Sequence, residues 1–198
     1  MSEQRKLALA DIADLRAYER EREEFRDSII VLKKKRRVSV GPHITLLFEN
    51  RDTIRFQIQE MARAEKILSD EGIETELGIY NPLIPDPSTV SATLFIELTS
   101  DADLREWLPK LVGIERSIVF RIGESLEVRC VPEEAHAAQL TREEITAAVH
   151  YVRFEFAASD IEAFATDPVA LAVDHPAYQH STALGADTIA ELLADLRP

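Results

Sequence analysis

An apolar run, Ile44 to Phe48, leads directly into a charged corner, Glu49-Asn50-Arg51-Asp52, and then into a long helical pattern; no other stretch constrains the fold as much. Four apolar residues in a run of five, with Thr45 between them, suit a strand buried on both faces, with elements packed on either side of its sheet. Asp52 or Thr53 is placed to cap the following helix, predicted over Thr53 to Glu71, and Gly72 to end it. The corner concentrates more hydrogen-bonding groups than any other turn in the chain. It is held between a buried strand and a helix N-terminus, where free N–H groups and the positive dipole end favour an anion. Two readings remain open. The corner either ties the loop to its own backbone, as Asx and Arg turns commonly do, or forms a ligand or partner site.

Upstream, residues Asp14 to Arg37 read as one long helix. Its seam comprises Leu15, Tyr18, Arg22, Phe25, Ile29, Leu32 and Arg36, and the two arginines interrupt any extended coiled coil. Downstream come a stiff Pro-rich loop with exposed Leu83 and Ile84, a strand (Ser91 to Leu98) and a helix (Asp101 to Val112) closed by Gly113. A hairpin follows, Ser117 to Ile122 and Leu126 to Val131, turning at Gly123. Pro132 opens a charged linker to Thr141, where Thr141-x-x-Glu144 has capping-box spacing. The remainder reads as a strand (Ala148 to Phe156), a short helix (Ser159 to Ala165), a strand (Val169 to Val173), a loop from Asp174 to His180 and a last helix (Ala186 to Leu196). This order predicts an α+β fold with a mixed, largely antiparallel sheet, packed helices and a long N-terminal helix. Residues 1–131 form the α+β core, and 132–198 a strand-helix-strand-helix extension packed into the same compact unit.

Composition excludes several classes. With 198 residues and 45% hydrophobic side chains, the chain can bury a full core without a disulfide or a metal. No membrane span and no export signal are written in it, so a cytoplasmic protein is expected. Cys130 is the single cysteine, which excludes an internal disulfide or a cysteine-based cluster, and its strand-like setting suits a small buried hydrophobe. The net charge of −13 is uneven: residues 1–66 carry 15 Lys/Arg against 12 Asp/Glu, while 67–198 carry 8 against 24. So acidic a chain is a poor nucleic-acid binder. The basic run Lys33 to Arg37 ends a helix that starts in glutamates, so it either complements the helix dipole or faces an acidic partner surface, including another copy of the chain.

No phosphate loop, GxSxG elbow, HExxH or paired CxxC occurs. Glu133-x-x-His136 matches half of a di-iron helix motif, but such sites need two of these and two further glutamates. His43 enters the buried strand, while His175 and His180 flank a proline turn; with Glu49 or Glu60 they would form a two- or three-histidine carboxylate site for iron, zinc or nickel. A histidine at a turn is more often a simple hydrogen-bonding residue, so no cofactor is predicted and the metal reading rests on His43, His175 and His180 converging. Candidate ligand or partner-binding residues are His43, Glu49, Asn50, Arg51, Asp52, Gln57, Glu60, His175 and Tyr178.

The stretch VSVGPHITLLFENRDTIRFQIQEMARAEKI resembles the bacterial family filed as domain of unknown function 3501, and YNPLIP, SATLFIEL, LVGIERSI, VHYVRFEF and DHPAYQH continue the likeness nearly to the C-terminus. The resemblance transfers no catalytic residues. Its members are often encoded beside rubrerythrin-like and iron–sulfur oxidoreductase proteins, which implies an accessory role in peroxide or iron redox metabolism. Two functions are therefore expected. One is a non-catalytic binding or accessory protein, with such a protein or a second copy as partner and neither nucleic acid nor membrane. The other is a small-molecule or metal-dependent enzyme, its pocket gathering the Glu49 to Asp52 corner and the His175 loop.

Overall fold

The computed structural model describes residues 5–133 and 145–197. The linker capping residues Thr141 and Glu144, and His136, lie outside them. Helix α1 (Leu15–Arg36) is capped by Asp14, whose carboxylate accepts the Ala17 N–H at 2.8 Å, and runs straight into strand β1 (Arg37–Val40). Strand β2 (Ile44–Glu49) is buried at every position, as an apolar run inside a sheet requires.

The long helix expected after the corner is two helices, α2 (Arg51–Glu65) and α3 (Asp70–Tyr80). Lys66 takes a left-handed conformation (φ 56°) and ends α2, and Ser69 caps α3 by accepting the Gly72 N–H. A serine N-cap followed by Asp70 and Glu71 is a strong helix start, and here it prevails over continuous apolar spacing. Gly72 is therefore no helix stop. It lies in the first turn of α3 against Ile67, where a Cβ would collide with that side chain.

Strands β3 (Thr89–Ile96), β4 (Ile118–Ile122), β5 (Leu126–Arg129), β6 (Val131–Pro132), β7 (Val149–Glu155), β8 (Val169–His175) and β9 (Tyr178–Ala183) complete the strands among the described residues, with α4 (Asp101–Lys110), α5 (Ala158–Thr166) and α6 (Ala186–Leu196) between or after them. The expected loop at Asp174 to His180 is instead a hairpin: β8 continues to His175, turns at Pro176-Ala177, and β9 begins at Tyr178. The first sheet has the order β1-β2-β3-β7-β6 and the second β5-β4-β8-β9. The fold is α+β with a long first helix. Every strand pairing among the described residues is antiparallel, so the sheets are antiparallel and the parallel component that a mixed sheet would include is missing.

Residue parity decides what each face of the first sheet meets. Leu46, Phe48, Ala92, Leu94, Val152 and Phe154 face the second sheet, where the Phe154 ring lies 4.6 Å from that of Phe120. The opposite face carries Thr45, Leu47 and Glu49 of β2, Ser91, Thr93 and Phe95 of β3, and Tyr151 of β7, an unusually polar set. There Ile54, Ile58 and Leu77 of α2 and α3 build a smaller apolar cluster with Leu7 and Tyr151. Leu83 and Ile84 are not exposed. They are 4% and 2% accessible and seal that cluster.

Candidate functional site

The corner divides its side chains between two cavities. Asn50, not Asp52 or Thr53, caps α2: its side-chain oxygen accepts the Thr53 N–H at 3.0 Å, and Thr53 Oγ1 accepts the Asn50 N–H at 2.9 Å. This reciprocal pair leaves Asp52 exposed in the first turn. Arg51 turns outward to Asp11 at 2.7 Å, and Asp11 is held below the usual carboxylate range by the Ala8 N–H and then by Arg51. An open cleft of about 490 Å³ lies beside them, lined by Arg5, Arg51, Asp11, Ile84, Pro85 and Asp195 among others. Glu49 turns the other way, into a groove of about 150 Å³ on the polar face of the first sheet, with Gln57 in the lining. Its carboxylate accepts hydrogen bonds from Thr53 Oγ1 at 2.5 Å and Thr93 Oγ1 at 2.6 Å.

Beneath the cleft, Arg36 is 1% exposed. Its guanidinium donates to the carbonyls of Phe48 (2.8 Å) and Glu49 (3.0 Å), and pairs with Glu191 (3.4 Å) and with Asp195. Burial raises the Asp195 carboxyl and Arg36 opposes that rise. The sequence reading missed this centre, although its signal was present: Arg36 sits on the apolar stripe of α1, where a solvated arginine has no place. Arg22, the other charge on that stripe, is partly exposed and donates twice to Glu60, at 2.8 and 2.9 Å. Lys35 also pairs with Glu191, and Arg37 with Glu97, so much of the basic run meets acidic groups of the chain's own C-terminal two-thirds.

Glu60 is occupied by Arg22 and by the Tyr18 hydroxyl (2.7 Å). Arg22, first, and Tyr18 hold its pKa at about 2, against an ordinary 4.5. A depressed carboxylate stabilises the fold above its unfolded pKa, and that contribution is lost as pH falls through the folded value. Glu60→Gln is therefore expected to melt below wild type at pH 7, with the gap closing between about pH 4.5 and 2 in a pH series of thermal melts. A gap constant across that window would refute the pairing.

The histidines gather elsewhere. His43 stands at the start of β2 and Glu49 at its end, roughly 20 Å away at about 3.3 Å per residue. His43 packs on Trp107 (ring centroids 4.8 Å), and Tyr178 on His180 (4.5 Å). The Tyr178 hydroxyl donates to Val40 O at 2.7 Å and accepts the His43 N–H at 2.9 Å, so this buried tyrosine joins the two sheets. His175 is apart from them: its Nε2 meets Val112 O at 3.0 Å and its Nδ1 accepts the Ala177 N–H at 3.2 Å. Both ring nitrogens are thus committed to backbone. Neither cavity at the corner includes a residue of the His175 hairpin in its lining, and among the described residues no three His, Cys, Asp or Glu side chains are placed to hold a metal ion. Cys130 is buried and its thiol is pushed up to about 11 by burial, which makes it inert at neutral pH.

Fold and site together define a two-sheet antiparallel α+β protein whose polar groups concentrate on one face of the first sheet and at the turn that leaves it. The chain belongs to the family described as Protein of unknown function (DUF3501), whose model matches residues 6–196. It is also similar to a solved structure, a novel protein of unknown function from Burkholderia pseudomallei K96243, at 37% identity and a TM-score of 0.88, over 96% of this chain and 99% of that one. None of the curated proteins compared with it matches. No helix among the described residues is long and apolar enough to cross a membrane.

Proposed function

We propose that this protein is a cytoplasmic binding or accessory protein that docks an acidic segment of a partner protein in the cleft beside Arg51. The observation that supports this most directly is the cleft itself. It offers two guanidinium groups, Arg5 and Arg51, above an apolar wall of Ile84 and Pro85, and its lining contains no serine, cysteine or histidine to act as nucleophile or base. Arg51 is 38% exposed and pairs with Asp11, a single contact that does not consume all five guanidinium donors. A carboxylate-bearing loop suits such a fork. The family resemblance supplies the class of partner: a rubrerythrin-like or iron–sulfur oxidoreductase protein of a peroxide or iron redox system.

Isothermal titration of purified candidate partners with wild type and Arg51→Glu tests the reading. The expected result is binding by wild type and a loss of tenfold or more in the variant. Melting should change little, because the Arg51–Asp11 pair is largely solvated and worth less than about 1 kcal/mol. Equal affinity of the two proteins, or no binding by wild type, would discard the cleft as a docking site.

A further inference from the structure

We propose that the groove at Glu49, on the opposite side of the corner, binds a small organic ammonium ion, a primary amine with a short apolar tail. This goes beyond the docking role of the Arg51 cleft and does not depend on it. Glu49 is 7% exposed, yet among the described residues neither carboxylate oxygen forms an ion pair; Thr53 and Thr93 hydroxyls donate to it. Arg36 touches only the main-chain carbonyl of Glu49, and its own charge is met by Asp195 and Glu191. A buried carboxylate without a counter-charge is costly unless something cationic reaches it. Each carboxylate oxygen retains acceptor capacity beyond its threonine bond, and the cavity gives access to it.

The walls suit the same guest. Tyr80 and Tyr151 line the groove, and the Tyr151 phenol is raised by burial, then by Tyr80 and by Glu49, which places both groups within electrostatic reach of Tyr151. Aromatic faces beside a carboxylate form the setting in which ammonium groups are held, through ring quadrupoles and a charge-assisted hydrogen bond. The Gln57 side chain offers a further carbonyl acceptor, and apolar side chains from the strands leave room for a hydrocarbon tail. A cavity of about 150 Å³ is the size that holds one benzene, so the guest has on the order of six to eight heavy atoms. Lys33 lines the rim with its ammonium over the Phe56 ring at 5.3 Å. It is the internal competitor for Glu49, and removing its charge favours the external amine.

Ligand-observed NMR titrations with n-butylammonium, n-butanol and butyrate read the proposal. The expected result is saturable binding of butylammonium alone, weakened at least tenfold by Glu49→Gln and strengthened by Lys33→Met, with Arg51→Glu unaffected. Should Glu49→Gln fail to fold, Val149→Phe, which fills the groove from a half-buried position, is expected to abolish the same signal. Butanol binding as tightly as the amine, or butylammonium binding that survives both groove variants, overturns the assignment. Amine binding lost in the groove variants but kept in Arg51→Glu also separates this site from the docking cleft.

Discussion

Arg36→Ala is expected to destabilise the protein by about 3–5 kcal/mol, the range for breaking a buried ion pair by removing one partner. In a chain of this length that corresponds to a drop on the order of 10 °C in melting temperature. The reason lies in what the guanidinium leaves behind: the main-chain carbonyls of Phe48 and Glu49, and the Asp195 carboxylate, all lose a donor that is itself only 1% exposed. Arg36→Lys should recover little, because an ammonium cannot reproduce a planar fork that reaches β2 and α6 together. The variant also has a pH signature. Burial already raises the Asp195 pKa and Arg36 partly offsets this. Without Arg36 the folded-state pKa rises further above the unfolded value, so the folded variant prefers the protonated acid. Its deficit relative to wild type is therefore largest at neutral pH and shrinks as acidification protonates Asp195. Thermal melts from neutral to acid pH check both the size and the slope, and a loss below about 1 kcal/mol at pH 7 would show that α1 and α6 are held by other contacts.

Gly41→Ala is expected to cost about 2–4 kcal/mol, through two effects that add. Gly41 has φ +71°, a conformation that disfavours any side chain, and a Cβ there would collide with the Tyr178 hydroxyl and lie 2.6 Å from His180 Cγ. The displaced group is the one that links the sheets, since Tyr178 bonds both Val40 O and the His43 N–H. Tyr178→Phe separates the contributions: it removes the two hydrogen bonds without the backbone strain and should cost about 1–3 kcal/mol. Denaturant unfolding of both variants and of the double variant measures this. If Tyr178→Phe does not soften the Gly41→Ala penalty, the collision with the hydroxyl is not its source.

Much of the fold was legible because the signals were local. The apolar run of β2 and the seam of α1 set their elements within a residue or two, and the Gly123 turn placed the β4–β5 hairpin. The misreadings had local causes too. The break at Lys66 was hidden because apolar residues bridge it at helical spacing, while the cap at Ser69 is a stronger signal than Gly72. The start of β9 at Tyr178 was hidden by polar residues, since only that position of the strand is fully buried.

The candidate site divides in the same way. That a hydrogen-bonding corner would follow the buried strand was written in the sequence, because an apolar run, a cap and a helix have to meet at a turn. Where its side chains point was not. Asn50 took the cap, which sent Arg51 to Asp11 and Glu49 to Thr93, a residue 44 positions away. The acidic partners of Arg36 lie 155 and 159 positions along the chain, in the last helix. Side-chain period and capping act over a few residues, so a sequence determines them alone. Which charges neutralise one another, and which cavity a side chain enters, depends on elements brought together only when the two sheets and their helices close on the core, and that was decided by the tertiary structure.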